Sequence, residues 1–323
     1  MNYPAYQYDE GVHQGRKMDE EQDFATHLPV MLKESIRGLK IQPSGCYLDA
    51  TFGRGGHSRA ILSSLGSSGR LVVLDRDPEA IESAESLAAD DQRVTVCHGT
   101  FSELLDIIGA PIQFDGVLFD LGVSSPQIDQ AYRGFSFQND GPLDMRMNRS
   151  QGLSAADWLA RADKDEIVWV FETYGEQAHA DILAEKIIER RQEKPILTTK
   201  DLVDVVLSAL PRLLKNKHPA TLIFQAIRMH INAELDEIHY GIPQIVQRIR
   251  PGGRLVVISY HSIEHKQVSD GLKQMHAQFE LSDSTSDLLK LKKVGHALRA
   301  SRDELFNNRR ARSALLRTWE VKK

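Results

Sequence analysis

Asp49-Ala50-Thr51-Phe52-Gly53-Arg54-Gly55-Gly56-His57 is the stretch whose reading decides the fold. Just before it, Cys46-Tyr47-Leu48 has the character of a short buried strand. Just after it, Ser58-Arg59-Ala60-Ile61-Leu62 opens a helix-like apolar pattern. Strand, glycine loop and helix in that order begin a nucleotide-type α/β domain. Glycines let the backbone turn tightly and approach a ligand, and the following helix start offers free N–H groups. The loop is not a G-x-G-x-x-G fingerprint, because Ser58 stands at the third glycine position. No Gly-Lys-Ser/Thr closes it as a P-loop would. Taken alone, the loop reads either as a ligand site or as a structural turn.

The second strand favours the ligand. Arg70-Leu71-Val72-Val73-Leu74 is apolar and ends in Asp75-Arg76-Asp77-Pro78. An acidic residue about 20 positions past the glycines, at the end of the second strand, is where a ribose hydroxyl pair is held. Asp77 is expected to cap the next helix with Pro78 at its first position, which leaves Asp75 for the ligand. The alternative is that Asp75 merely ends a strand. A third strand, Arg93 to Cys97, leads to Phe101, which reads equally as an adenine neighbour or a core aromatic. A fourth, Asp115 to Phe119, ends in Asp120-Leu121-Gly122-Val123-Ser124-Ser125-Pro126-Gln127. Four strands separated by helices predict an α/β, doubly wound parallel sheet, with ligands beyond the carboxyl ends of its strands. Gly53 to His57, Asp75, Phe101 and Asp120 all fall at such ends.

The rhythm then breaks. Residues 131–217 show no convincing strand and read as an inserted helical subdomain. Ser154, Asp163 with Glu166, and Thr198 with Asp201 are its helix starts. Glu189 to Lys194 and Lys215-Asn216-Lys217-His218 carry basic residues, though mixed charge at helix ends is usually only solvation. From Pro219 the apolar spacing of Ile223, Ala226, Ile227, Ile231, Leu235 and Ile238 predicts one long helix. Arg254 to Ser259 is a fifth strand ending at Tyr260-His261-Ser262. A strand near Leu289 to Val294 and a last one at Ser313 to Trp319 complete the sheet. Residues 1–26 read as a mobile extension, residues 27–130 and 218–323 as the core.

The chain has 323 residues and a net charge of −5, unevenly spread. Lys290 to Lys323 holds eleven Lys/Arg against Asp303, Glu304 and Glu320, so that segment is +8 and the remainder −13. Such asymmetry suggests an anionic partner, or else a solvated basic tail. Cys46 and Cys97 lie in apolar runs and read as core residues, so neither a disulfide nor a metal site is expected. No apolar run is long enough for a membrane span and no signal peptide is seen, so a cytoplasmic setting is expected.

The ordered motifs resemble the bacterial S-adenosylmethionine-dependent 16S rRNA cytosine-N4-methyltransferases. They are Asp49 to Ser58, Asp75 to Pro78, Asp120 to Gln127, Arg133-Gly134-Phe135-Ser136-Phe137 and Gly141 to Met147, followed by His218-Pro219-Ala220-Thr221, Ser259-Tyr260-His261-Ser262 and Asn308 to Ser313. The likeness runs from His27 to Trp319. It departs at Ile263-Glu264-His265-Lys266 and at Leu222, where the family usually has Leu-Glu-Asp-Arg and often a basic residue. The resemblance implies a Rossmann-like class I methyltransferase core with a helical insertion after the fourth strand. It implies methylation of a cytosine amine in the decoding region, the P site, of 16S rRNA on the assembled small subunit. Its cofactor contacts fall on Gly55, Gly56, His57, Asp75, Phe101, Asp120 and Gln127. A homodimer stays open.

Cytosine's amine is a poor nucleophile because its lone pair is delocalised into the ring. An acceptor for its N–H groups is therefore expected at the fourth strand end, and Asp120 is the first choice, with Ser124, Ser125 and Pro126 shaping the base pocket. Tyr132, Phe135, Phe137 and Tyr260 are stacking candidates, though each could also be core, since buried aromatics usually only pack. Arg133, Arg228, His261, Arg309, Arg310 and Arg312 are candidates for RNA contact. A non-catalytic ribosome-assembly factor would have no use for the intact cofactor motifs. An NAD-dependent oxidoreductase fails at Ser58. A DNA amino-methyltransferase would commonly carry Asp/Asn-Pro-Pro-aromatic where Asp120-Leu121-Gly122-Val123 stands.

Overall fold

The computed structural model describes residues 29–109, 111–210, 218–281 and 290–322. The extension expected over 1–26 and the basic run at 215–217 lie outside the described residues. Eight strands among the described residues form one sheet. They are β1 (Cys46–Asp49), β2 (Arg70–Asp75), β3 (Val94–His98), β4 (Phe114–Asp120), β5 (Ile249–Ser259), β6 (Lys290–Lys293), β7 (Leu298–Arg299) and β8 (Leu315–Lys322). Their order is β3-β2-β1-β4-β5-β8-β6, with β7 also paired to β8. The first five run parallel, and β8 is antiparallel to β5, β6 and β7.

Alternation along each strand builds two cores. Leu71 and Val73 point to one face with Tyr47, Leu118 and Val256. Helices α1 (Leu32–Leu39), α2 (Gly56–Ser64) and α3 (Pro78–Asp90) cover that face through Leu39, Ile61 and Ala84. Val72 and Leu74 point the other way with Leu48, Val117 and Val257, under α4 (Leu104–Ile108) and the chain around Ile242 to Val246. As expected, Asp77 caps α3 by accepting from Glu79 N at 3.1 Å, with Pro78 following.

After β4 and α5 (Ser125–Asp129) the chain leaves the sheet and builds a third core of its own. Helices α6 (Ala155–Arg161), α7 (Lys164–Gly175), α8 (Ala180–Glu193) and α9 (Thr199–Ala209) supply Trp158, Phe171, Leu183, Ile187 and Val206. The three expected start signals hold. Ser154, Asp163 and Thr198 accept from the backbone N–H of Asp157, Glu166 and Asp201 at 3.1, 2.8 and 3.1 Å. This core also takes in Ala220, Ile223, Phe224 and Ile227 from α10 (Ala220–Ile231), so the helical unit runs past the expected boundary at 217.

The single long helix expected from Pro219 to Ile238 is broken. Helix α10 stops at Ile231, Ala233 takes a left-handed φ of 47°, and a π-helical turn at Glu237–Gly241 leads into α11 (Ile242–Val246). The apolar spacing continues across the break, but it serves two cores. Ile223 and Ile227 face the helical unit, while Leu235 and Ile238 face the sheet. Asn232 holds the break. Its amide donates to the carbonyls of Met145 and Arg228 at 2.8 and 2.9 Å, and its Oδ1 accepts from Met147 N at 2.8 Å. Its own carbonyl accepts from Arg76 Nη1 at 2.6 Å. Helices α12 (Ser262–Leu281) and α13 (Arg302–Asn307) complete the core.

Asn232 is buried, so Asn232→Ala strands two internal backbone groups of the 145–147 loop. The expected loss is about 2–6 kcal/mol, from about 1–3 kcal/mol per unsatisfied buried group. It is measured as a lowered urea midpoint, and an unchanged midpoint would refute the role given to Asn232.

Candidate active site

A cavity of about 660 Å³ opens beyond the carboxyl ends of β1, β2, β4 and β5. Its floor is organised by carboxylates. Asp75, at the end of β2, accepts from Gly53 N at 2.8 Å on Oδ2 and from Asp77 N at 2.9 Å on Oδ1. The carboxylate is therefore anchored where the sequence reading left it unattached. Asp75 also lines the cavity. Burial raises its pKa, and the backbone hydrogen bonds oppose that rise. Gly53 reaches this geometry with a left-handed φ of 54°, which a side chain would strain.

Asp120, at the end of β4, faces the same space. Its Oδ1 accepts from Tyr260 Oη at 2.8 Å, and its Oδ2 lies 3.8 Å from His57 Nδ1. Burial pushes the Asp120 carboxyl up to about 7, against the Tyr260 hydrogen bond and with help from Asp49 and Glu264. Burial likewise pushes His57 down to about 4, so its ring is neutral near pH 7. His57 Nε2 sits 3.1 Å from the Val30 carbonyl, which can only accept. The ring proton is thus on Nε2, and the Nδ1 lone pair is turned toward Asp120.

Gly56 and His57 line the cavity, and Gly56 lies so close to Pro29 that a Cβ would meet its Cγ at 2.2 Å. Gly55 is not part of the lining and works behind it as a turn with φ 73°. Phe101 packs edge-on against Phe119, centroids 5.1 Å apart, and also lines the cavity. Ser124 lines the wall, and Pro126 sits in the first turn of α5 outside the lining. Gln127 reaches the wall with both ends committed. It accepts from Ser124 N at 2.9 Å and donates to Asp77 Oδ2 at 2.8 Å.

The candidates for RNA contact separate into two groups. Arg133 is 1% exposed and is paired to Asp77 at 2.8 Å and Glu79 at 3.3 Å. It also donates to the carbonyls of Arg146 and Met147, so it ties down a loop and presents nothing to RNA. Phe135 is buried beside it, and Phe137 packs on His218 and Phe224 in the helical unit. Tyr132 is exposed away from the cavity, its hydroxyl donating to Glu79. Arg228 reaches the cavity wall, but its charge is spent on Glu234 through two bonds of 2.7 and 2.8 Å. Tyr260, His261 and Arg310 line the cavity, while Arg309 and Arg312 stand just outside it.

Sequence reasoning missed three supporting residues. Asp49 is buried, accepts from Ser58 Oγ at 2.6 Å, and is pushed up to about 7 by its burial. Glu264 is buried and accepts from Tyr260 N at 2.7 Å and His261 N at 3.2 Å, which sets the backbone that carries Tyr260. Glu237 accepts from the backbone and hydroxyl of Ser102, fixing the turn beside Phe101. The signal available for all three was an acidic residue inside or beside an apolar run.

The cavity fits the cofactor that the resemblance implies. Its volume lies within the range of small-molecule sites. Asp75 offers two acceptor oxygens for a ribose diol, and Phe101 offers an aromatic face or edge. Asp120 supplies negative charge for a cationic centre. Among the described residues, no group of three or more His, Cys, Asp or Glu side chains is placed to hold a metal.

Residues 24–322 match the family model described as the MraW methylase family. A protein of Shewanella denitrificans named Ribosomal RNA small subunit methyltransferase H is 48% identical over 310 residues, covering 93% of this chain and 98% of that one. Its namesake from Shewanella oneidensis is 47% identical over the same shares. The glycine loop, the anchored Asp75 and the Asp120–Tyr260 pair lie within the matched region, and the chain belongs to the MraW methylase family.

Proposed function

We propose that this chain is the S-adenosylmethionine-dependent enzyme that methylates N4 of one cytidine in the decoding, P-site region of 16S rRNA, acting in the cytoplasm on the small ribosomal subunit. The observation that carries the reading is Asp120. It is a carboxylate at the end of β4 that faces the cavity, is fixed by Tyr260 and titrates near 7. The relatives' name, with its ribosomal RNA substrate, supports the choice of acceptor.

The bound cofactor supplies a methyl group on a sulfonium, already activated for transfer. The work left to the protein is to hold the acceptor amine and to manage its protons. Asp75 would hold a ribose diol through its carboxylate oxygens, and Phe101 would pack against the base attached to it. Asp120 accepts from the amine's N–H, which makes the nitrogen lone pair more available. As the N–C bond forms, the amine must lose a proton, and Asp120 is placed to take it. Tyr260 holds that carboxylate in one rotamer, and Glu264 holds Tyr260. Fixing two reactants in this way can contribute about 7–11 kcal/mol toward the barrier.

The test is methyl transfer from labelled S-adenosylmethionine to small subunits lacking the modification, with mass mapping of the product. Label on N4 of a single cytidine is expected, and label on another atom or none at all refutes the assignment. Asp120→Asn should lower kcat by about 10²–10⁴-fold, the usual contribution of a positioned acid or base. Asp75→Ala should weaken cofactor binding by about 10–100-fold in calorimetry, as loss of a charged acceptor predicts. Below about pH 7 Asp120 is protonated and cannot take up the amine's proton, so kcat/KM should fall as pH drops through that value. A cation bound nearby stabilises the carboxylate, so the acidic limb of kcat should lie at lower pH than that of kcat/KM. A flat profile across this range would remove Asp120 from the role.

A further inference from the structure

A second cavity, of about 800 Å³, adjoins the first. Tyr260, His261, Arg310 and Ser313 border both. One wall belongs to the helical unit, through Tyr174 at the end of α7 and Gln225 on α10. The other belongs to the core, through the start of α12 and the turn at Arg309–Ser313. We propose that this second cavity receives the nucleotide adjoining the target cytidine, with its phosphate held by Arg309 and Arg312. The proposal rests on the RNA-acceptor reading above and specifies where the neighbouring residue of the strand goes.

Charge and continuity carry it. The lining holds three guanidiniums and one carboxylate, Glu176, so it suits an anion. The three arginines are not equivalent. Arg310, on the border of both cavities, is bound to Asp129 at 2.5 Å. Arg309 and Arg312 are exposed, and neither has a carboxylate partner among the described residues. Two guanidiniums three residues apart, with no acid between them, match a phosphodiester, which each can grip through paired N–H donors. The half-buried Tyr174 ring and the Tyr260 ring give the cavity aromatic surface for a base, and the Gln225 amide gives it a hydrogen-bonding group. A strand whose target base enters the first cavity across the shared border at Tyr260 and His261 lays its next residue in the second. Stacking on aromatic rings with arginine on the backbone is the way unpaired nucleotides are held.

The test uses full-length protein and small ribosomal subunits lacking the modification. Initial rates of methyl transfer are compared across salt concentrations for the wild type, Arg309→Gln/Arg312→Gln and Arg309→Lys/Arg312→Lys. The Gln pair should raise KM tenfold or more. It should also flatten the slope of log kcat/KM against log salt by about 0.7 for each phosphate that is no longer neutralised. The Lys pair keeps the charge and should keep most of the slope. Calorimetry with S-adenosylmethionine should give the wild-type dissociation constant for both variants, which establishes that they are folded. Unchanged KM and slope in the Gln pair, with transfer intact in the wild type, would overturn the cavity assignment alone. Equal losses in the Gln and Lys pairs would overturn it too, since a structural turn and not a grip on phosphate would then be at stake. Absence of transfer by the wild type would instead bring down the RNA-acceptor reading.

Discussion

Three neighbouring parallel strands, β2, β1 and β4, each end in an aspartate, and much of the site follows from having to keep Asp75, Asp49 and Asp120 there together. Burial raises all three, and Asp49 raises Asp120 and is itself raised by Asp75. None of them makes an ion pair with a lysine or arginine among the described residues. Each is held by directed donors instead: Ser58 for Asp49, the Gly53 and Asp77 amides for Asp75, and Tyr260 for Asp120. A cluster of carboxylates in low dielectric is costly when fully ionised, and a cation bound in front of it relieves that cost. The cluster is therefore matched to a positively charged ligand before any ligand arrives. Ser58, which breaks the dinucleotide glycine pattern, is the residue that holds the central aspartate.

The helical insertion is fastened to this site by buried polar groups as well as by apolar packing. Arg133 links its first loop to Asp77 at the cap of α3, and Asp77 in turn holds Gln127 on the cavity wall. Arg228 lies on α10, pairs with Glu234 beyond the helix break, and comes within 3.6 Å of Glu264. Breaking a buried pair of this kind by removing one partner costs about 3–5 kcal/mol, because a charge is left without compensation. Such pairs specify one arrangement of the two units. They also place groups of the insertion on the wall of the cavity whose chemistry is done by the sheet.

The sheet and the cofactor edge were legible from the chain because both depend on local patterns. Apolar strands, glycines after the first strand and acids at strand ends are read within a few residues of one another. The helix starts at Ser154, Asp163 and Thr198 were legible for the same reason. What stayed hidden depends on partners far away in sequence. Arg133 and Arg228 look like surface arginines until Asp77 and Glu234 are seen beside them. Phe137 looks available for stacking until His218 and Phe224 close on it. The long helix was misread because apolar spacing records that a face is buried, not against which core. Only the packing shows that Ile227 and Leu235 answer to different ones.

The position of β8 has a consequence for the order in which the molecule is assembled. Among the described residues, strands β6 and β7 are hydrogen-bonded to β8 and, in the sheet, to no earlier strand. During synthesis they emerge before β8, the strand they pair with. The sheet can close on that side only when β8 inserts beside β5. Arg309 to Ser313 lead directly into β8, so the turn is brought to the cavities by the same event. The basic wall that this turn gives to both cavities thus comes from a part of the chain synthesised after the strands that carry Asp49, Asp75 and Asp120.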